Sequence, residues 1–280
     1  MLALKRRLNE FVEMEIYYFS GTGNSLYIAK EMKKRFPEAI LIPIIGILKN
    51  KEIKAKAKIV GIIFPIHAFT FPWPVKKFLQ MIDLRQTSYI YAIATRVCFI
   101  KVFSDINKLL KKQKKALDAY FSFEMPENYI PLFDVYPMDK IVKTELEAKK
   151  KLDSIADIVK KRETKQSKNR KRWFLFSHIL YPIITTWFQK IRFPDMGRSF
   201  YIDSNCMGCG TCEKVCLSNK IRISDNRPYW LPEIKCTYCF ACIHYCPCRA
   251  IQLKNRKTLK RGRYHHSAIT VKDIMEQKRY

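Results

Sequence analysis

The chain is poor in glycine, in acid and in long apolar runs. Glycine numbers only 8 of 280 residues, about 3% against a usual 7% or so. Four of the eight, Gly21, Gly23, Gly208 and Gly210, fall in two short motifs. A glycine kept in so glycine-poor a chain serves a backbone need. Asp and Glu together number 25 against 53 Lys and Arg, a formal net charge of +28. No segment reaches the ~20 apolar residues that a membrane span requires. The two longest uncharged runs, residues 59–75 and 173–189, both contain proline and polar residues. The first twenty residues (MLALKRRLNEFVEMEIYYFS) lack the apolar stretch and small-residue cleavage site of a secretory leader. That argues against an oxidising compartment and a disulfide framework, and places the chain in a reduced, cytoplasmic setting.

What is present is ample core material: 48% hydrophobic and 13% aromatic residues, which excludes wholesale disorder. Short runs that are apolar on both faces recur at residues 15–19, 40–45, 58–64, 89–95 and 119–124. Between them lie helical patterns at 26–36, 75–82, from about 96 to 115, and 146–161. Strands alternating with helices predict crossover units and a parallel sheet buried on both faces.

Eight of the ten cysteines lie between Cys206 and Cys246, in two copies of one pattern offset by 30 residues. The first copy is Cys206-x2-Cys209-x2-Cys212-x3-Cys216. The second is Cys236-x2-Cys239-x2-Cys242-x3-Cys246, followed by Pro247. Three thiolates at this spacing wrap one cubane cluster, and the fourth reaches across to the other. The expected ligand sets are therefore Cys206, Cys209, Cys212 and Cys246 for one [4Fe-4S] cluster, and Cys236, Cys239, Cys242 and Cys216 for the other. A structural zinc site uses separated pairs and has no need of a repeated triple run. Cys98 and Cys248 stand outside the pattern and read as free cysteines. Eight thiolates and two 2+ cores sum to −8 + 4 = −4, so the loaded protein stays near +24.

Ser20-Gly21-Thr22-Gly23-Asn24-Ser25 joins the first predicted strand to the first helix. Small hydroxyls and backbone N–H groups at a helix N-terminus suit a phosphate. The loop has no lysine and no third glycine, which excludes the Walker A and dinucleotide fingerprints. The stretch YYFSGTGNSLYIAK resembles the FMN phosphate loop of flavodoxins, and the cysteine repeat resembles the bacterial two-[4Fe-4S] ferredoxins. Together with LDAYFSFEMPENYIPL and RGRYHH, residues 14–275 resemble proteins that fuse the two modules. Met14 is the natural start on that resemblance, with residues 1–13 as an extension.

The resemblance implies an α/β flavodoxin-like domain, with a parallel sheet in order 2-1-3-4-5, followed by a small α+β two-[4Fe-4S] ferredoxin-like domain. It implies FMN at the carboxyl ends of the strands, with Ser20, Thr22, Gly23, Asn24 and Ser25 at its phosphate. Pro65, His67, Phe69 and Thr95 would lie at its ring, with Phe71 and Trp73 as further platform candidates. Thr70 and residues 95–101 stand where related loops carry glycine, so the ring end lacks that backbone freedom. The expected organisation is a flavin domain over 14–162, a basic linker and apolar packing segment over 163–198, the cluster domain over 199–256, and a basic tail over 257–280. The predicted function is electron transfer coupling two [4Fe-4S] clusters to FMN. The alternatives are a flavin-dependent reductase of a small substrate, and a ferredoxin whose flavin-free flavodoxin half serves as a docking module. The charge suits an acidic redox partner or peripheral contact with anionic membrane; no motif for specific nucleic acid accompanies it.

Overall fold

A computed structural model describes residues 13–67, 70–95, 101–165, 181–254 and 257–279. Its first half is a five-stranded, all-parallel sheet. The strands are β1 (Met14–Tyr18), β2 (Ile40–Pro43), β3 (Ile59–Pro65), β4 (Tyr89–Thr95) and β5 (Ala119–Phe123), in spatial order β2-β1-β3-β4-β5. That is the 2-1-3-4-5 order expected from the resemblance. Every residue of β1 and β4 is buried, as is β3 up to Phe64, so helices cover both faces. Gly61 in β3 pairs with Tyr91 in β4. A β-carbon at Gly61 would lie 2.4 Å from the Tyr91 ring, so this glycine makes room for an aromatic in the sheet core.

The connecting helices are α1 (Asn24–Arg35), α2 (Trp73–Met81), α3 (Lys101–Leu110) and α4 (Met138–Lys160). Helix α1 ends on Lys33, Lys34 and Arg35, charges that suit its C-terminal dipole. Helix α4 begins eight residues before the start that the hydrophobic pattern predicts. Met138 and Val142 are exposed there, and those two turns carry no apolar stripe to announce them.

The second half is built around a separate small core that includes Ile221, Tyr238, Phe240, Ile243, Ile251 and Leu253. Strand β6 (Phe200–Ile202) pairs antiparallel with β9 (Ile251–Leu253), and β7 (Ile221–Ser224) forms a hairpin with β8 (Arg227–Trp230). The hairpin turns through Asp225 and Asn226, both at positive φ, as a type I′ turn requires. The short helices α7 (Thr211–Val215) and α8 (Ala241–His244) each follow one cysteine loop.

Of the apolar packing segment, residues 166–180 lie outside the described residues. The remainder runs as α5 (Tyr181–Trp187), a π turn (Phe188–Arg192) and α6 (Phe193–Arg198). Met196 is buried in the second core and Phe188 packs against it, while Ile183, Trp187 and Ile191 face solvent. The two halves share one continuous apolar contact: Val215, Leu217, Ala241, Tyr245, Ile269 and Ile274 belong to the same cluster as the sheet. No helix among the described residues is long and apolar enough to cross a membrane.

Candidate functional site

The two cysteine loops follow one backbone path. Gly208 and Gly210 are both at φ +71°, and the residues 30 positions later, Tyr238 and Phe240, are at +55° and +56°. Asn219 and Arg249, again 30 apart, are at +56° and +52°. Left-handed backbone suits glycine, and bulky residues adopt it only where the surroundings dictate it. The second loop therefore keeps the path of the first at the expense of strain in Tyr238 and Phe240. Both are buried, and Phe240 meets Tyr129 edge-on.

Cys206, Cys209, Cys212 and Cys246 line one cavity, together with Gly208, Gly210, Ile223, Pro228 and Cys248. Burial pushes the Cys212 thiol up to about 12, with Cys246 and Cys209 adding to the rise. On the other side, burial pushes Cys236 up to about 12, and the charges of Cys239 and Cys216 push the same way. Cys239 is raised by burial and Cys216, and Cys242 well raised by burial and then by Cys216, Cys236, Cys239 and Cys212, the last from the first set. Four thiols so placed become thiolates together only beside a positive core. Backbone N–H groups already point at sulfur: Lys220 to Cys216 at 3.2 Å, Tyr238 to Cys236 at 3.3 Å and Ala250 to Cys246 at 3.3 Å. Such bonds stabilise thiolates and tune cluster potentials. Among the described residues, no three His, Cys, Asp or Glu side chains converge on a point where a single ion would sit. Cysteine sulfurs dominate the donor set, the ligand type that iron–sulfur clusters use. Cys248, read from sequence as a bystander, has its sulfur 3.8 Å from that of Cys246, on the first cavity.

The SGTGNS loop lies between the C-terminus of β1 and the N-terminus of α1, with Gly23 at φ +102° as the residue before the helix. Ser20, Thr22, Asn24 and Ser25 are at most 5% exposed. The N–H groups of Gly21, Thr22, Gly23, Asn24 and Ser25 have no acceptor among the described residues, an anion cradle at a helix start. Thr22 Oγ1 accepts from Asn128 Nδ2 at 2.6 Å and still has its own proton to donate. The Ser25 and Thr95 hydroxyls share a 2.8 Å hydrogen bond, which leaves one O–H of the pair to donate elsewhere. The cradle and its hydroxyls fit a phosphate monoester.

Of the predicted ring residues, Pro65 and Thr95 are partners across β3 and β4. Pro65 and His67 are half-buried at the end of β3. His67 lies edge-on to Phe19 at 6.2 Å, and burial pushes its imidazole down to about 4. It is therefore neutral at neutral pH. Phe71, a platform candidate, is buried edge-on against Phe64 and belongs to the core. Trp73 donates its indole N–H to the Cys236 carbonyl at 2.9 Å, with Lys235 over its ring at 5.5 Å. Phe69 and residues 96–100, including Cys98, lie outside the described residues.

Sequence reasoning did not find how the two sites meet. A β-carbon added to Gly21 would lie 2.6 Å from both the β-carbon and the carbonyl oxygen of Cys239. The SGTGNS loop thus rests on one cysteine loop, backbone against backbone, and Trp73 ties the start of α2 to the same one. Residues 264–277, read as a basic tail, close the loop from another side. The one local signal for them was Thr270-x-x-Asp273, which forms a capping box at the start of α9 (Val271–Glu276).

No family model matches the chain. Over 52 residues it is 44% identical to a component of the ion-translocating oxidoreductase complex of Methanosarcina acetivorans, covering 18% of each chain. Over 53 residues it is 30% identical to a ferredoxin-like protein in the nif region of Trichormus variabilis, covering 19% of this chain and 46% of that one. The chain thus spans less than half the length of either curated relative. Among solved structures, it is similar to an archaeal flavodoxin at 15% identity, covering 53% of this chain and 99% of that one, with a TM-score of 0.32. It is similar too to an FMN-dependent NADH-azoreductase of Bacillus anthracis in complex with FMN, at 12% identity over 52% and 98% of the two chains, with a TM-score of 0.33. A flavodoxin-like half precedes a ferredoxin-like half. The strand order carries the first assignment, and the repeated cysteine loops with the ferredoxin-like sequence matches carry the second.

Proposed function

We propose that this chain is an electron-transfer protein that couples two [4Fe-4S] clusters to one FMN. Bound cubane clusters supply one-electron chemistry and a flavin one- or two-electron chemistry, so a chain holding both connects the two regimes. Cys206, Cys209, Cys212 and Cys246 would hold one cluster. Cys236, Cys239, Cys242 and Cys216 would hold the other. The loop from Ser20 to Ser25 would hold the FMN phosphate through its N–H groups and the hydroxyls of Ser20, Thr22 and Ser25. Pro65, His67 and Thr95 lie at the strand ends where the ring would sit. The observation that carries the reading is the seating of Gly21 on Cys239, reinforced by Trp73 on Cys236. It packs the flavin half directly on a ligand loop of the second cluster.

Anaerobic purification with iron, sulfide and flavin counts tests this. The expected result is about eight irons by the arithmetic of two cubanes, with one FMN per chain. One zinc, or two irons, would end the cluster reading. The alternative of a flavin-free docking half is favoured by one observation. Asn24, Thr22 and Ser25 already have protein partners. Protein that takes up no FMN from excess would establish that reading.

The +28 charge suits an acidic redox partner, whose association should slow steeply with salt because the Debye length is only about 8 Å at 0.15 M. The exposed Ile183, Trp187 and Ile191, spaced four apart after a basic run, suit peripheral contact with anionic membrane. Salt-reversible sedimentation with anionic liposomes tests that contact.

A further inference from the structure

The C-terminal residues 264–279 touch both halves of the molecule at named atoms. On the flavodoxin-like side, the Gln277 carboxamide makes a two-point bond with Ser20: Oε1 accepts from the Ser20 N–H at 3.0 Å and Nε2 donates to the Ser20 carbonyl at 2.9 Å. Gln277 is fully buried. The His266 N–H donates to the Thr22 carbonyl at 2.9 Å. The Tyr264 hydroxyl lies 2.8 Å from Asn24 Oδ1 and 3.0 Å from Glu145 Oε1. One phenolic proton cannot serve both acceptors, and burial raises the Glu145 carboxyl. The Tyr264 O–H donates to the nearer of the two, Asn24 Oδ1. Asn24 Nδ2 in turn donates to the Pro126 carbonyl at 3.2 Å, so the first residue of α1 is held at both ends of its side chain. Asp273 is ion-paired with Lys30, further along that helix.

On the ferredoxin-like side, the Tyr264 N–H donates to His244 Nδ1 at 3.1 Å. His265 stacks on Tyr245 at 4.2 Å, and the Tyr245 hydroxyl donates to the Ile269 carbonyl at 3.2 Å. Lys278 Nζ donates to the Glu213 carbonyl at 3.3 Å. His244 and Tyr245 lie between the ligand candidates Cys242 and Cys246, and Glu213 follows Cys212.

We propose that residues 264–279 form a clamp that holds the phosphate loop in its anion-binding shape and seats it on the cysteine loops, with Gln277 and Tyr264 as positioning residues. The assignment deepens the flavin reading above and rests on it for the identity of the ligand. Neither side chain needs to touch that ligand. Gln277 fixes both backbone groups of Ser20, and Tyr264 fixes the side chain that opens α1. The N–H groups between them are then aimed by protein contacts from two sides. A loop that is glycine-bearing at Gly21 and Gly23 has little stiffness of its own, so its shape must come from such contacts.

The test uses the full chain, purified anaerobically, with Gln277→Ala, Gln277→Glu and Tyr264→Phe. The measurements are the FMN dissociation constant by equilibrium dialysis, the iron count, and hydrogen exchange of the amides from Gly21 to Ser25. Loss of the two Gln277 bonds should weaken FMN binding about tenfold and speed loop exchange by a similar factor. The iron count should stay at the wild-type value. Gln277→Glu keeps the acceptor for the Ser20 N–H but sets a second oxygen against the Ser20 carbonyl, so it should be no better than the alanine variant. FMN affinity and loop exchange within twofold of wild type in all three variants would overturn the clamp. So would joint loss of iron and flavin with a general rise in exchange across the sheet, which marks a global stabiliser. If Gln277→Ala does not fold, Tyr264→Phe removes one hydroxyl and decides by the same measurements. Should wild-type protein bind no FMN, the flavin reading fails, and exchange of the loop amides still judges the clamp.

Discussion

Replacing Gly21 with alanine tests the seating of the phosphate loop on the cysteine loop. The added methyl would lie 2.6 Å from both Cys239 Cβ and the Cys239 carbonyl oxygen. Carbon atoms in good contact stand about 3.5–4.0 Å apart, so the two loops must part by roughly 1 Å. Gly21 is not among the glycines at positive φ, so alanine meets no backbone strain there and the whole effect is contact. Overpacking of this kind costs about 1–3 kcal/mol. For a chain of this size a loss of that order lowers the melting temperature by roughly 2–4 °C per kcal/mol. Cys239 is constrained on its other side by its candidate ligand role, so the phosphate loop should give way first. The expected result is a melt several degrees lower, with weakened flavin binding and an unchanged iron count. Gly197→Ala is the control. Among the described residues the nearest neighbour of its β-carbon would be the Tyr238 ring at 3.4 Å, an ordinary contact, and it sits in a helix. Alanine there should be neutral or stabilising by up to about 1 kcal/mol. If Gly21→Ala melts with the control, the two loops are not pressed together and the reasoning fails.

Acid should destabilise the fold through His266. Its imidazole is buried and pushed down to about 4, and its Nδ1 accepts from the Ala268 N–H, which only the neutral ring can do. A folded value below the unfolded one of about 6.5 means that protons bind the unfolded chain more strongly. The contribution is intact above about pH 6.5 and is lost as pH falls towards 4, by on the order of 3 kcal/mol. Denaturation across that window should show this, and His266→Gln should flatten it. Cys212→Ala and Cys236→Ala should each lower the iron count from about eight towards about four, with different electron paramagnetic resonance signals remaining; identical residual spectra would contradict the two ligand sets. Ile62, fully buried in β3, should cost about 2–5 kcal/mol on replacement by alanine, measured by chemical denaturation.

The parts of this molecule that could be read from sequence are those with local signals. Each buried strand is a short apolar run bounded by turn residues, so the parallel sheet follows without knowledge of what it touches. The cysteine repeat announces itself by spacing alone. Phe71 shows the limit: an aromatic in a loop beside a candidate site looks the same whether it faces a ligand or Phe64. Tyr238 and Phe240 show another. Nothing in their identity predicts left-handed backbone, and only the 30-residue offset from Gly208 and Gly210 exposes it. The contacts of residues 264–277 were opaque because single polar residues reaching across the chain have no period. Composition made that stretch a basic tail, when its uncharged members Tyr264 and Gln277 and the buried neutral His266 hold the phosphate loop.

Ser20 and Gln277 are 257 positions apart, and that separation bears on how the molecule is made. At about 5–20 residues per second, a ribosome needs roughly 10–50 s to travel from one to the other. Once residue 123 is made the strands β1 to β5 can pair, but the loop at the end of β1 has no Cys239 beneath it until residue 239 is made and no Gln277 beside it until residue 277 is. Its burial should therefore be among the last events of folding. Any cofactor loading of the amino-terminal half during synthesis would meet an open, unbraced loop. A nascent chain stalled before residue 264 should therefore carry an ordered sheet and an unprotected phosphate loop, exposed to proteases that the finished protein excludes.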